Sequence, residues 1–400
     1  MTSNRLHGLI KDIFPFPLLP LFLLVGIFYV TFVCRVAIAP LLPAMKVDLG
    51  LGLAGAGSLF FWMASGYCAG LLMSGFVTAR LSHRKTILLS VVGMGAGMLV
   101  LSQASSTVVL YVSLIFSGLS AGLYLPSGIA LLSGLVSPEH LGKAVSIHEL
   151  APNLGFVTAP LITEALFKIF SWRGILVTLG IWSILMGLIF MFLGKGGDEK
   201  GEAPRLRVTR SILVLPSFWV MAAFFIAAIG SSIGVYSMMP LFLMSERGMS
   251  RESANMLTSF SRMAGFITLF FSGWMMDRAG HKQAAVIFVG MTGGLILLIG
   301  LISYPPLTPL LFVLQTSASV CIFPVGFVML AVMFDPSRRN LAVSLVVTIG
   351  YLLGGGVIPA GIGYVAEKLS FSWSFSILGL LVLSVIPLLF LIPPEDRADS

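Results

Sequence analysis

The chain has 400 residues, of which 57% are hydrophobic and 10% charged, with a net charge of +8 and a mean hydropathy of +1.02. A soluble domain carries roughly 25% charged residues, so this composition excludes a soluble globular protein and marks a polytopic membrane protein. The positive charge implies no nucleic-acid partner, because the basic residues are spread over short segments between apolar runs, where anionic lipid headgroups meet them.

Apolar runs of about 20 residues cross about 30 Å of hydrocarbon as helices. In chain order they predict spans at 18–45, 54–79, 86–104, 108–135, 144–168 and 172–193, then at 217–243, 253–276, 284–303, 307–334, 341–366 and 373–393. That is twelve helices in two sets of six. Arg5 and Lys11 precede the first run as in a signal peptide, but the run is too long for a signal core and lacks a small-residue cleavage site. We read it as a retained helix.

The first span contains FYVTFVCRVAIAPLLPAM, residues 28–45, with Arg35 in its middle. A guanidinium cannot shed its proton at ordinary pH, so in hydrocarbon it costs several kcal/mol unless an acid, a cavity or a ligand receives it. The fifth span contributes His148 and Glu149 within HELAP, and the eighth contributes Arg262. Both arginines lie about ten residues, hence ~15 Å, from the outer ends of their spans. Two forked donors suit a carboxylate, phosphate or other oxyanion. Glu149 falls about seven residues into its span, ~10 Å from the inner end, with Asn153 one turn further along. Burial and a neighbouring cation act in opposite senses on a carboxyl group, which makes Glu149 a candidate proton-coupling residue. His148 is a second candidate, placed near enough to the inner interface for water to satisfy it. A structural ion network of Arg35, Arg262 and Glu149 is the competing explanation. Tyr29, Thr31, Tyr236, Gln315 and Tyr351 are candidate polar lining groups.

Neither a metal nor a cofactor is expected. HELAP lacks the second histidine of a zinc helix, having Pro152 in its place, and Cys34, Cys68 and Cys321 all fall inside spans as small packing residues. The Gly93, Gly95, Gly97 and Gly354, Gly355, Gly356 groups have no strand before them and read as close-packing surfaces.

Sidedness follows from the basic residues. With both termini cytoplasmic, sixteen lie in inner segments, among them Arg5, Lys11, Arg80, Arg84, Lys85, Arg205, Arg278, Lys282 and Arg397, and six in outer loops, namely Lys46, Lys168, Arg173, Arg247, Arg251 and Lys368. The segment GKGGDEKGEAPRLRVTRSILVLP, 194–216, has the composition of a flexible cytoplasmic linker. It separates a bundle at 1–193 from one at 217–400, and the final PPEDRADS is read as frayed.

A shift of 198 residues brings Gly75 and Arg80 onto Gly273 and Arg278, Pro126 and Gly128 onto Pro324 and Gly326, and Pro138, Ala144 and Ser146 onto Pro336, Ala342 and Ser344. The chain reads as a duplicated six-helix unit. After the second and eighth spans stand GFVTARLSHRK and GWMMDRAGHK. The latter resembles the G-x-x-x-D-R-x-G-x-K loop of the major facilitator superfamily at Gly273, Asp277, Arg278, Gly280 and Lys282. The former keeps Gly75, Arg80, Arg84 and Lys85 but has Ala79 for the acid and Ser82 for the second glycine.

The resemblance spans the whole chain and implies an all-α membrane protein of twelve transmembrane helices in two pseudo-symmetric six-helix bundles. It implies a monomeric carrier working by alternating access, with these loops gating the cytoplasmic side and both arginines reaching a central cavity. Helix 1 is similar to that of organic-anion-carrying branches. The expected function is therefore secondary transport of a small organic anion, coupled to protons or another ion, in the cell inner (plasma) membrane. A proton-coupled multidrug exporter is the alternative, weakened because 108–136 holds no charged residue and Gly155 and Pro160 are separated. A membrane enzyme would need a cluster of nucleophile, base or metal ligands, which these residues do not supply.

Overall fold

The computed structural model describes residues 18–201 and 206–391. Arg5, Lys11, Arg205, Arg397 and the terminal PPEDRADS lie outside the described residues. The helices are α1 Leu18–Asp48, α2 Leu53–Arg80, α3 His83–Ser102, α4 Thr107–Leu135, α5 Pro138–Phe167, α6 Trp172–Leu193, α7 Pro216–Ser245, α8 Arg251–Ala279, α9 His281–Leu301, α10 Pro305–Met333, α11 Leu341–Lys368 and α12 Phe371–Leu389. Among the described residues, eleven of them are long and apolar enough to cross a membrane. The twelfth, α8, is 29 residues long and carries Glu252, Arg262, Asp277 and Arg278 among its apolar residues. Helices satisfy their own backbone, which is what lets such runs lie in hydrocarbon. Ser82, Ser106, Ser171, Ser250 and Ser370 cap the starts of α3, α4, α6, α8 and α12, each accepting from the N–H three residues on.

Prolines break these helices at fixed places. A proline removes one hydrogen bond and crowds the carbonyl four residues back. Pro40, Pro126 and Pro152 therefore disturb Val36, Gly122 and His148, and the regular helix stops at Val36, Gly122 and His148 before resuming. In α7 and α11 the irregularity takes another form, π-helical turns at Gly230–Gly234 and Tyr351–Val357.

The chain forms two compact units, residues 1–38 with 65–204 and residues 39–64 with 205–400. In the first, α1 packs on α5 and α6, and α3 on α4 and α6. In the second, α7 packs on α11, and α9 on α10 and α12, so the repeat seen in the sequence reappears as a repeat of packing partners. Each unit also uses one arginine to close the end of its third helix: Arg173 Nη1 donates to Ser102 O and Ala104 O at 2.9 Å, and Arg247 Nη2 to Ile299 O and Ile302 O at 3.2 and 3.0 Å. Burial draws the Arg247 guanidinium below its usual pKa. Two of the six arginines and lysines assigned to outer loops thus have a packing role. Within the second unit, residues 53–64 of α2 run along α11, where Gly57 and Gly363 admit the opposing backbone and the Glu367 carboxylate accepts from Ala54 N at 2.9 Å.

The segment after α6 is not the free tether its composition suggests. Gly197 O accepts from Arg84 N at 2.7 Å, Glu199 O from His83 N at 3.2 Å, and Gly201 N donates to Thr78 O at 3.2 Å. Glycines at φ +77 and +76, Gly196 and Gly197, let it turn back onto the α2–α3 corner. A further helix, Leu206–Leu213, precedes α7.

Candidate functional site

Three clusters of buried polar side chains stand out, two in the first unit and one in the second. Arg35 sits on the last turn before the Pro40 break and is 6% exposed. Its guanidinium lies 4.2 Å from the Tyr67 ring centroid and 5.0 Å from that of Phe32. Aromatic faces stabilise a desolvated cation. The other candidates on α1 are turned elsewhere: Thr31 Oγ1 donates back to Ile27 O and Phe28 O, and Tyr29 Oη bonds Thr158 Oγ1 at 2.7 Å beside Trp182.

The second cluster surrounds the Pro152 break. His148 is fully buried, stacked on Phe28 with centroids 4.7 Å apart and on Tyr124 at 5.8 Å. Its Nε2 lies 3.0 Å from Tyr124 Oη, and Tyr124 Oη donates to Leu24 O at 2.7 Å. Its Nδ1 meets Glu149 Oε1 at 3.2 Å, with the Glu149 side chain 48% exposed. The expected water-satisfied histidine near an interface is thus corrected. Helix α5 begins at Pro138 rather than 144, because polar Glu139, His140 and Lys143 are helical despite their low hydropathy. Glu149 consequently lies eleven residues from the helix start, about 16 Å along it. The side chain that its carboxylate meets in the structure is His148.

In the second unit, Arg262 is 7% exposed and serves the π-helical turn of α7. Its Nη1 donates to Ser232 Oγ at 3.0 Å, its Nη2 to Ser232 O at 2.6 Å, and its guanidinium lies 5.0 Å from the Tyr236 ring centroid. Gln315 Nε2 donates to Ser231 O at 2.8 Å in the same turn. A π-helical turn leaves carbonyls off the regular ladder, and such turns recur at functional sites; here two long donors gather them in. Gly354 of the α11 π segment packs against this turn, and Tyr351 is the first residue of that segment. The structure thus brings Arg262, Tyr236 and Gln315 together.

The model of the Major Facilitator Superfamily matches residues 21–314 and 234–400. The chain belongs to the major facilitator superfamily. It is similar to the probable sulfoacetate transporter of Cupriavidus necator, with 21% identity over 93% of this chain and 94% of that one. It is also similar to the 4-hydroxybenzoate transporter of Acinetobacter baylyi, with 24% identity over 85% and 82% of the two chains. In fold it resembles the crystal structure of a bacterial homologue of the human lysosomal transporter Spinster in an inward-facing, occupied conformation, at TM-score 0.79, 16% identity and coverage of 94% and 97%. The protein is an integral, multi-pass membrane transporter of this superfamily and not an enzyme.

The superfamily loops take definite shapes. Gly75 lies inside α2, which runs on to an exposed Arg80. Gly273 has nothing within 4 Å of where a Cβ would stand, so close helix approach does not explain it. Gly280 has φ +79 and ends α8, a conformation that does require glycine. Asp277 and Arg278 are exposed, with the Arg278 guanidinium over Trp274 and Lys282 Nζ over Phe390. Arg84 Nη2 donates to Met191 O at 3.0 Å.

Tyr67, Tyr124, Phe28 and Ser232 belong to these clusters but are not among the residues that the sequence marks. A signal existed for Tyr124, which stands two residues before Pro126 at a helix break. Tyr67 had none, since only tertiary packing brings α2 to Arg35.

Proposed function

We propose that the protein is a secondary carrier for a small organic anion of carboxylate type, working by alternating access and driven by protons. Arg35 carries this reading: a permanent cation buried in an apolar unit beside the rings of Phe32 and Tyr67 is costly there unless it serves a ligand, and a carboxylate gives a guanidinium charge-assisted hydrogen bonds. Arg262 is the second cation in the proposal, and Glu149 with His148 carries the coupling proton. Tyr236 and Gln315 serve Arg262. Tyr29, Thr31 and Tyr351 remain proposed lining groups through their rings and methyl groups. Asp277, with Arg278, Lys282, Arg80 and Arg84, is proposed to gate. The relatives named for sulfoacetate and 4-hydroxybenzoate support an anionic substrate. The bias of basic residues toward one set of loops supports cytoplasmic termini, and the proposal takes the cell inner (plasma) membrane and the monomeric state from the superfamily's habit.

The test is thermal stabilisation of the purified protein in detergent by 4-hydroxybenzoate, sulfoacetate, lipophilic cations and neutral lipophiles, beside Arg35→Gln and Arg262→Gln. An anion is expected to raise Tm, and each substitution to weaken its binding on the order of tenfold to a hundredfold, from about 1.5–3 kcal/mol per hydrogen bond to a charged group. Equal stabilisation of all three proteins by cations would sink the reading.

A further inference from the structure

We propose that His148 and Glu149 together hold one exchangeable proton, with Tyr124 deciding which imidazole nitrogen takes part. The Tyr124 hydroxyl has a single proton and, 2.7 Å from Leu24 O, donates it there, because a carbonyl can only accept. Its 3.0 Å contact with His148 Nε2 must then have the nitrogen donating. Nε2 is thereby kept protonated, and the 3.2 Å contact between Nδ1 and Glu149 Oε1 has room for one proton between two acceptors. That proton resides on Nδ1, giving imidazolium and carboxylate, or on Oε1, giving neutral imidazole and carboxylic acid. Both forms are neutral overall. Losing the proton breaks the O–H bond of Glu149 to water and leaves neutral imidazole, a carboxylate and a net charge of minus one.

The two side chains divide the work by exposure. His148 is fully buried between Phe28 and Tyr124, while the Glu149 side chain is 48% exposed. A carboxyl group is not tolerated against acyl chains, so its exposed edge meets water and provides the route for exchange. The segments packed against this turn are 18–36 of α1, with Tyr29, Cys34 and Arg35, and 124–135 of α4, with Tyr124; α6, which packs on the later part of α5, carries Arg173 at its far start, and Tyr111, Lys46 and Asp48 lie in the remote parts of α4 and α1. On α5 itself Glu139, His140 and Lys143 all lie at least five residues earlier, ~7 Å of rise, and Glu164 lies four turns further on. Phe28, stacked on His148, and Arg35 stand on one helix seven residues apart, ~10 Å of rise, a range over which the charge of the pair acts on an anion at Arg35 in a poorly screened interior.

The direction of coupling rests on the carrier reading above. A neutral pair adds no repulsion to an incoming anion, whereas a pair at minus one opposes it. Proton and anion then favour each other's binding reciprocally, which is anion–proton symport, with uptake falling as pH rises.

The decisive experiment is a difference proton titration of the purified full-length protein against His148→Gln, Glu149→Gln, the double variant and Tyr124→Phe, with ¹⁵N-histidine NMR on the same samples. Glu149→Gln reports the imidazole alone and His148→Gln the carboxyl alone, so two independent groups would make the wild-type release curve, taken relative to the double variant, the sum of the two single-variant curves. A shared proton is expected to make wild type depart from that sum, since binding to one group then changes binding to the other. A wild-type curve equal to the sum shows that each group titrates alone and that sharing is wrong. The Nε2–H signal of His148 is expected to persist throughout in wild type and to give way to mixed tautomers in Tyr124→Phe, and an unchanged signal there removes Tyr124 from the device. Anion stabilisation is scored separately on Arg35→Gln and Arg262→Gln. A protein that shares one proton but is stabilised by no anion overturns the carrier reading and leaves the pair standing, and the reverse result does the opposite.

Discussion

The α2–α3 and α8–α9 corners answer one geometric demand with different residues. At the second, Gly280 has φ +79 and ψ 157; at the first, Ser82 has φ 128 and ψ 163. Both lie in a region that is essentially reserved for glycine. Repeating the packing of helices in each unit repeats the corner, whatever residue occupies it. The first corner has lost its glycine and, at Ala79, its acid, but it has gained other support. Ser82 caps α3, Thr86 Oγ1 donates to Ser82 O at 2.7 Å, and the segment at 197–201 bonds to Thr78, His83 and Arg84. The backbone conformation belongs to the topology, and the local sequence only sets how much strain it stores.

That comparison can be broken at several points. The largest effect is expected for Gly280→Ser, which places a side chain in the disfavoured region without the bonded segment that the first corner enjoys; a loss of about 1–3 kcal/mol in stability would appear as a lower Tm. Asp277→Asn is expected to slow transport on the order of tenfold, about 1.4 kcal/mol, with anion affinity unchanged, because the second corner alone retains the acid; a rate equal to wild type in proteoliposomes would remove its gating role. Ser82→Gly should stabilise by about 1 kcal/mol, since relief of strain exceeds the few tenths lost from the cap. A lower Tm there would show that the corner depends on the serine. Smallest of all, Arg84→Ala should shift stability by less than about 0.5 kcal/mol, because its bond to Met191 O is exposed.

Charges and breaks were differently legible. Arg35, His148, Glu149 and Arg262 are conspicuous in a chain with 10% charged residues, because each is costly in hydrocarbon and so stands out by cost alone. Their partners did not stand out. Tyr67, Tyr124 and Phe28 are ordinary in a chain with 30 phenylalanines and 8 tyrosines, and only packing selects which rings meet a cation or an imidazole. Span limits were read to within a few residues except at α5 and α11, where polar first turns hid the helix from Pro138 and from Pro336, and at α5 this misplaced Glu149 in depth. The segment after α6 misled for the converse reason: glycines and charges suggest flexibility, yet positive φ at Gly196 and Gly197 is what lets the backbone fold back and bond.

The sequence by itself determined that this is a helical membrane protein, where most of its helices run and which charges are out of place, because hydrocarbon imposes rules of length and cost that act on each segment separately. Tertiary structure alone decided that Arg262 holds a π-helical turn while Arg35 rests on two rings, and that Tyr124 orients His148 toward Glu149. Those outcomes depend on which side chains from distant helices arrive within 3 to 5 Å of one another, and no one-dimensional spacing encodes that.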